Sequence, residues 1–220
     1  MSCLRLSYQT IEFGDKDIHL RTLRDRQQYS DPERKAEKLG ISSASWPLFG
    51  VVWPSSIVLA EIMMDYEIGK LRILEVGCGI GLASLVLNER LADITATDYH
   101  PEAEAFLQKN VDLNNGREIP FVCTGWGDAV STLGEFDLII GSDLLYERDH
   151  AGLLSEFITQ HSKDNGEVII IDPARGNSGK FTKMMAVNGY DCTQRKIADA
   201  ESISEDYKGN ILHFARSDRR

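Results

Sequence analysis

The sequence predicts an α/β protein with a doubly wound sheet of seven strands, mostly parallel, whose last strand is antiparallel. Strand and helix patterns alternate from about residue 55 onward, as in a sheet covered by helices on both faces. The runs "LIIG" (138–141) and "VIIID" (168–172) are apolar at successive positions, which is typical of buried parallel strands. The last two strands have no long helix between them, and so short a connection favours antiparallel pairing.

The apolar patterns assign each element of this sheet in chain order. Strands are predicted at 72–76, 93–97, 120–123, 136–141, 167–171, 191–197 and 210–216. Helices are predicted at 55–68, 82–91, 101–113, 149–161 and 179–188. The first of these helices should bury the side formed by Ile57, Val58, Ala60, Ile62 and Met63.

An N-terminal extension over residues 1–45 is predicted to precede a main domain over residues 46–220. Residues 6–22 alternate apolar and polar side chains around Gly14-Asp15, which predicts a β-hairpin. Residues 30–40 predict a short helix that Pro32 starts and Gly40 ends. Because this helix shows no apolar face, we expect a mobile surface piece or a lid.

The composition excludes several classes of function. The net charge of −10 over 220 residues argues against nucleic acid as a partner, since binding to phosphates requires a basic surface. No apolar stretch approaches the roughly 20 residues that span a membrane, and the polar N-terminus does not resemble a signal peptide. The four cysteines are scattered and the five histidines form no cluster. We therefore predict free thiols, no metal site and a cytoplasmic location.

Three glycines at alternate positions follow the first predicted strand, in the sequence "EVGCGIG" (75–81). Glycine tolerates positive φ and lets a ligand approach the backbone closely. The second strand ends at Asp98, about twenty residues later, where a carboxylate can accept both hydroxyls of a ribose. Gly77, Cys78, Gly79, Gly81 and Asp98 are therefore predicted to bind an adenosine-containing cofactor. The alternative is a tight structural turn with an aspartate that caps the next helix.

The spacing of the glycines distinguishes two cofactors. A dinucleotide site requires GxGxxG with a pyrophosphate at the N-terminus of the helix, whereas this chain has GxGxG preceded by Glu75. The carboxylate of Glu75 could accept the amino group of a methionine moiety, directly or through water. The sequence therefore favours S-adenosylmethionine, with S-adenosylhomocysteine as the product.

Four segments resemble the class I, seven-strand S-adenosylmethionine-dependent methyltransferases, and within them the family 16 group, which contains protein-lysine methyltransferases. They are "VVWPSS" (51–56), "LEVGCGIG" (74–81), "TGWGD" (124–128) and "FDLIIGSDLLYE" (136–147), and the resemblance covers about residues 46–216. It implies a Rossmann-like fold and a cofactor site lined by Trp53, Gly77, Gly79, Asp98, Trp126 and Ser142. It also implies that Asp143 and Tyr146, an Asp-x-x-Tyr signature, face the substrate.

Asp143 and Tyr146 have plausible chemical roles beside a methyl donor. Asp143 could accept a hydrogen bond from an incoming amine and orient its lone pair, and Tyr146 could wall the acceptor channel or donate a hydrogen bond. The alternatives are that Asp143 caps the helix that starts near Arg148 and that Tyr146 only packs.

The sequence thus predicts a methyltransferase that modifies a protein lysine or a similar amine. A small-molecule methyltransferase with the same cofactor site is the first alternative, and it would have a nearly closed acceptor pocket. A module that binds S-adenosylmethionine without catalysis and an NAD-dependent oxidoreductase are the others. The substrate itself and the oligomeric state are not predicted.

Overall fold

A seven-stranded sheet lies at the centre of the computed structural model, which describes residues 5–25, 31, 33–39, 41, 48–129, 132–174, 176–197 and 208–216. The strands are β1 (Leu6–Phe13), β2 (Lys16–Leu23), β3 (Arg72–Val76), β4 (Asp93–Asp98), β5 (Phe121–Cys123), β6 (Phe136–Ser142), β7 (Ser162–Asp172), β8 (Tyr190–Lys196) and β9 (Asn210–Arg216). The helices are α1 (Lys35–Lys38), α2 (Pro54–Asp65), α3 (Leu82–Glu89), α4 (Ala103–Leu113), α5 (His150–His161) and α6 (Ser178–Val187).

The strand order of the large sheet is β5-β4-β3-β6-β7-β9-β8. The five strands from β5 to β7 are parallel, whereas β9 is antiparallel to both of its neighbours, β7 and β8. The predicted Rossmann-like, doubly wound sheet with an antiparallel last strand is therefore confirmed. The chain runs outward from β3 in both directions, so a switch point lies between β3 and β6, where such folds bind ligands.

Each face of the sheet carries its own hydrophobic core. Side chains alternate across the pleat: Leu138 and Ile140 lie in one core and Ile139 in the other. Helices α2, α3 and α4 cover the first face, and helices α5 and α6 cover the second. The continuous apolar runs of β6 and β7 follow from this, because both faces of these strands are buried.

The predicted N-terminal hairpin is confirmed, and it packs onto the first core. Strands β1 and β2 pair in antiparallel register, and Phe13, Ile18, Leu20 and Leu23 are buried with α2, α3 and α4. The buried amide of Asn110 on α4 accepts the backbone N–H of Arg21 at 2.7 Å. The hairpin is thus packed and hydrogen-bonded to the main sheet domain.

The short helix after the hairpin differs from its prediction. Among the described residues of this segment, Lys35–Lys38 form a helix. Pro32, which was predicted to start the helix, and Gly40, which was predicted to end it, lie outside the described residues. Ala36 is fully buried in the first core. The expectation that this segment has no buried face is therefore wrong at Ala36, because one small side chain is enough to anchor a single turn.

Element boundaries otherwise differ from the predictions by a few residues. Helix α2 ends at Asp65, three residues early, and its fully buried Leu59 was not predicted. Strand β7 begins at Ser162, because its first residue pairs with Phe136 before the register shifts. No helix of the described residues is long and apolar enough to cross a membrane.

Candidate functional site

A cavity of about 530 Å³ opens at the carboxyl ends of β3, β4, β5 and β6, within the usual size range of small-molecule sites. Nine of the predicted site residues line it: Trp53, Gly77, Cys78, Gly79, Asp98, Trp126, Ser142, Asp143 and Tyr146. Glu75 and Gly81 are not among the described residues that line it. The tertiary structure therefore brings together segments that lie far apart along the chain, from Trp53 to Tyr146.

The glycine turn after β3 forms the floor of the cavity. Gly77, Gly79 and Gly81 all have positive φ, at 61°, 58° and 80°. A Cβ on Gly77 would lie 2.6 Å from Cδ2 of Leu144, whereas a Cβ on Gly79 would meet nothing within 4 Å. Gly77 therefore permits close packing of the loop after β6, and Gly79 leaves space above the backbone that a ligand can occupy.

Gly81 has a packing role instead. It is the N-cap of α3, and a Cβ there would overlap Cδ1 of Leu107 on α4. The side chain that this glycine lacks would thus point into the core. Gly81 belongs to the glycine turn that was predicted to bind the cofactor, but it is not among the described residues that line the cavity.

Glu75 lies beneath the turn. Its side chain is buried, and its Oε2 accepts hydrogen bonds from the backbone N–H of Ser84, at 2.9 Å, and from the Ser84 hydroxyl. Burial raises the pKa of Glu75 to about 7, and the two bonds from Ser84 oppose that shift. Oε2 of Glu75 thus satisfies a free N–H in the first turn of α3. The contact of Glu75 with a ligand amine, directly or through water, stays a prediction.

Asp98 joins the glycine turn to the end of β4. Its Oδ2 accepts the N–H of Gly79 at 2.7 Å and its Oδ1 accepts the N–H of His100 at 2.7 Å. Burial raises the pKa of Asp98, and these backbone bonds oppose that shift. Each carboxylate oxygen has a second lone pair, so Asp98 can brace the turn and still accept hydroxyl groups from a ligand in the cavity.

Cys78 lies in the same turn with its side chain almost fully buried. Burial holds the pKa of its thiol well above the usual range, and the charges of Asp98 and Glu75 raise it further. Cys78 is therefore an uncharged thiol in this turn. A neutral thiol is a poor nucleophile, so Cys78 is a lining residue of the turn and not a reactive group.

A strap from Leu48 to Trp53 covers the cavity from the N-terminal side. The ring of Phe49 stacks on His100, with centroids 3.7 Å apart and planes 5° from parallel, and the Nε1–H of Trp53 donates to the carbonyl of Leu48 at 3.0 Å. Burial lowers the pKa of His100 to about 4, so its imidazole is neutral at neutral pH.

The role of Phe49 and His100 was not predicted. His100 follows Asp98 by two residues in "TDYHP", and that proximity was the available signal. Phe49 carries no such signal, because its partner is distant in sequence and no short-range pattern records the contact.

Three aromatic rings form one wall. The imidazole of His150 contacts the ring of Trp126 edge-to-face, with centroids 5.1 Å apart, and the ring of Tyr146 in the same way at 4.5 Å. Nδ1 of His150 is hydrogen-bonded to the carbonyl of Leu144 at 2.8 Å. The wall therefore joins the loop after β5 to the loop after β6.

Asp143 lies at the mouth of β6 in a backbone conformation that is uncommon for a residue with a side chain. Its φ is +55°, and its N–H donates to the carbonyl of Ile171 at 2.9 Å. Helix α5 begins at His150 with Asp149 as its N-cap. The alternative that Asp143 caps this helix is therefore wrong.

Tyr146 lies at the rim of the cavity, with 42% of the residue exposed. Desolvation raises the pKa of its hydroxyl to about 12, and the negative charges of Asp98, Glu147 and Asp143 add to the shift. Tyr146 is therefore a neutral phenol at physiological pH. It can donate a hydrogen bond toward the acceptor side of the cavity.

The charges of the cavity suit a cationic ligand. Four carboxylates line it, from Asp98, Asp128, Asp143 and Glu147, and the described lining contains no lysine or arginine. A pyrophosphate would also meet the carboxylate of Glu75 at the N-terminus of α3, where an anion would otherwise bind. These groups fit a sulfonium and an amine and disfavour a dinucleotide. The described residues contain no group of three metal-ligating side chains.

Comparison with known proteins also favours a methyl donor over a dinucleotide as the ligand of this cavity. The model of a family described as lysine methyltransferase matches residues 39–188. Protein N-lysine methyltransferase METTL21A of Danio rerio is 32% identical over 144 residues, which are 59% of this chain and 63% of that protein. The electron transfer flavoprotein beta subunit lysine methyltransferase of Xenopus laevis is 27% identical over 133 residues, 59% of this chain and 53% of that protein. The matched region therefore spans less than two thirds of either relative.

Solved structures share the fold. The 16S rRNA N2 G1207 methyltransferase RsmC of T. thermophilus, in complex with AdoMet and guanosine, superposes with a TM-score of 0.65. The match covers 97% of this chain and 51% of that protein at 14% sequence identity. At this identity the likeness concerns the fold alone.

Proposed function

The chain belongs to the lysine methyltransferase family, and from this premise we propose that it transfers a methyl group from S-adenosylmethionine to a lysine side chain of a protein. The observation that carries the proposal is the position of Asp143 and Tyr146, which line the same cavity as the glycine turn and Asp98. The names of the relatives, which are protein-lysine methyltransferases, support this choice of acceptor.

The cofactor would occupy the inner half of the cavity. Gly79 leaves room for it, Asp98 would accept the ribose hydroxyls, and the ring of Trp126 would pack against the adenine. Trp53, Gly77, Cys78 and Ser142 complete the lining, whereas Gly81 and Glu75 hold the turn from below. When bound, S-adenosylmethionine supplies a methyl group already activated by its sulfonium.

The acceptor would enter beside the loop after β6. The carboxylate of Asp143 would accept a hydrogen bond from the lysine amine and aim its lone pair at the methyl group, about 3 Å away. A carboxylate also stabilises the ammonium form, so its role is orientation, and desolvation in the cavity favours loss of the proton. Tyr146 would contact the aliphatic stem or donate a hydrogen bond.

The rim favours a protein over a small molecule as the acceptor. Tyr99, Tyr146 and Leu153 line the cavity and are 40%, 42% and 38% exposed. Exposed aromatic and aliphatic side chains at a mouth offer contacts to residues that flank a lysine. A site built for a small molecule would enclose these side chains instead.

The substitution Asp143→Gly tests the proposal, because glycine tolerates positive φ and lacks the carboxylate that would accept the hydrogen bond from the amine. With labelled S-adenosylmethionine and a protein extract, we expect the wild-type chain to label acid-precipitable protein at lysine, as read by mass spectrometry. The variant should label protein about 100-fold more slowly than the wild-type chain, and its affinity for the cofactor, measured by calorimetry, should not change. Label only in the small-molecule fraction would contradict a protein substrate, and equal rates would remove Asp143 from the mechanism.

We also propose a reducing, cytoplasmic location and no role in nucleic-acid binding. The three described cysteines Cys78, Cys123 and Cys192 are free thiols, as is usual where thiols stay reduced. The net charge of −10 disfavours a polyanionic partner. Fractionation of cells that express the chain and a nucleic-acid binding assay test these two statements.

A further inference from the structure

We propose that His150 is a positioning residue that couples the cofactor half of the cavity to the acceptor half. The inference rests on the proposed function, in which Trp126 faces the cofactor and Tyr146 faces the lysine. It adds that the two halves do not bind independently. Contact of the cofactor with Trp126 would set the position of Tyr146 through the imidazole between them.

The geometry of His150 carries this inference. Its ring lies edge-to-face against Trp126, at an interplanar angle of 81°, and against Tyr146, at 78°. The His150 side chain is only 15% exposed, and it lines the cavity. The imidazole thus touches both of the other rings of this wall. In a closely packed interior, a displacement of the Trp126 ring is transmitted to Tyr146.

The loop that carries Tyr146 is also held on its other side, by hydrogen bonds from the start of α6. Nδ2 of Asn177 donates to the carbonyl of Leu145 at 2.8 Å, and Nζ of Lys180 donates to the carbonyl of Arg148 at 2.8 Å. Both donors belong to the start of α6, away from the cavity. The loop therefore has a fixed outer edge, and its cavity edge rests on the His150 ring and on the bond from Nδ1 to Leu144.

Coupling between two sites is reciprocal. If the cofactor orders Tyr146 through His150, an acceptor held by Tyr146 must raise the affinity for the cofactor by the same factor. We expect a factor of about five or more, at the lower end of couplings seen in proteins.

The experiment follows Tyr146 directly and requires no known substrate. The chain is labelled with 3-fluorotyrosine at its seven tyrosines, and the ¹⁹F resonance of Tyr146 is assigned by its loss in Tyr146→Phe. S-adenosylhomocysteine is then added to saturation, as verified by calorimetry. In the wild-type chain we expect the Tyr146 resonance to shift on binding.

Two substitutions separate the ring of His150 from its hydrogen bond. His150→Phe keeps an aromatic ring between Trp126 and Tyr146 but loses the hydrogen bond to Leu144. We expect this variant to keep most of the change in the Tyr146 resonance. His150→Asn keeps a donor near the Nδ1 position and loses the ring, and we expect it to lose the shift. Leu153→Ala is the matched control, because it removes another lining side chain of α5 and should leave the shift intact.

The outcomes distinguish a failure of the proposed function from a failure of the coupling through His150. Failure of S-adenosylhomocysteine to bind the wild-type chain would overturn the proposed function together with this inference. Binding with a Tyr146 resonance that does not move, or that moves equally in His150→Asn, would overturn the coupling alone. Thermal unfolding of each variant ensures that the comparison is made between folded proteins.

Discussion

Gly79 and Gly81 share a left-handed backbone but serve different purposes. With nothing within 4 Å of a Cβ on Gly79, this glycine keeps the cavity open. A Cβ on Gly81 would overlap Leu107, so this glycine keeps α3 close to α4. Two residues of one motif can therefore be separated by experiment into a binding role and a packing role.

We expect Gly81→Ala to lower the free energy of unfolding by about 2–4 kcal/mol, because backbone strain and overpacking add. Gly79→Ala has only the strain and should lower it by about 1 kcal/mol, but its methyl group would stand in the cavity and weaken S-adenosylmethionine binding about tenfold. Urea unfolding and calorimetry measure the two effects. Equal stability losses in the two variants would contradict the assignment.

Glu75 couples the stability of the fold to pH. Its pKa rises from 4.5 to about 7 because burial disfavours the charged form. Between these values the unfolded chain has released a proton that the folded chain still holds. The free energy of unfolding therefore falls as pH rises from about 4.5 to about 7, and Glu75 adds no further change outside this window.

We expect Glu75→Gln to remove this dependence, because glutamine does not ionise and its amide oxygen can still accept from Ser84. Relative to the wild-type chain, the variant should gain up to about 3 kcal/mol of stability between about pH 4 and pH 8. Urea unfolding of both proteins across that range measures the difference in their free energies of unfolding. Asp98 is present in both proteins, so the contribution of its titration largely cancels in this difference. A constant difference would show that folding does not shift the pKa of Glu75.

At the scale of elements, the strap before α2 connects the N-terminal part of the chain to the cofactor site. Gly50 accepts the N–H of Leu23 at 2.7 Å through its carbonyl, which joins the strap to the end of β2. Phe49 stacks on His100 and meets the ring of Phe106 edge-to-face at 5.1 Å. The strap is therefore held by a backbone hydrogen bond to β2 and by the ring contacts of Phe49.

We expect Phe49→Leu to lower the free energy of unfolding by about 1–2 kcal/mol, through loss of the aromatic contacts, and to weaken cofactor binding several-fold, because Phe49 lines the cavity. Phe106→Leu is the matched control. It loses the edge contact to Phe49, but Phe106 is not among the described lining residues, so its cofactor affinity should not change. Loss of affinity in both variants would show that the effect is only structural.

At the scale of the whole molecule, the hairpin and the sheet share one core. Leu20 on β2 is fully buried in the cluster that includes α2, α3 and α4. The hairpin also reaches the cofactor turn, because Asn110 accepts from Arg21 and donates to the carbonyl of Ile80 at 3.0 Å. We therefore expect the hairpin and the sheet domain to unfold together.

We expect Leu20→Ala to lower the free energy of unfolding by about 2–5 kcal/mol, with a single transition for the whole chain. Tyr8→Ala, on the same hairpin at a residue that is 62% exposed, should change it by less than about 0.5 kcal/mol. Tryptophan fluorescence during urea unfolding reports the transition from the three tryptophans, Trp46, Trp53 and Trp126, which all follow the hairpin in the chain. A hairpin that melts separately would leave that signal unchanged in Leu20→Ala.

Most strands and helices were predictable because the spacing of apolar residues within each segment indicates its secondary structure. Strand β3 and strand β9 begin and end at the predicted residues. Four successive residues of β3 are buried, as in a strand covered on both faces, and the buried side chains of β9, Leu212 and Phe214, alternate with the period of a strand. The glycine turn and Asp98 were predictable for a similar reason: backbone geometry at a switch point demands those residue types. Ala36 was not, because its burial depends on a neighbour that its own segment does not encode.

Short-range patterns in the sequence predicted the sheet, its antiparallel last strand and the lining residues Gly77, Cys78, Gly79 and Asp98, because each depends on local spacing or on a residue type that the backbone requires. The other five predicted lining residues followed from the resemblance to a known family: Trp53, Trp126, Ser142, Asp143 and Tyr146. Only the tertiary structure decided that Glu75 braces α3, that Phe49 covers His100 and that His150 joins Trp126 to Tyr146. The contacts of Phe49 with His100 and of Trp126 with His150 connect residues that are distant in sequence and that only packing brings together. No local pattern distinguishes a side chain that faces the cavity from one that supports it from behind.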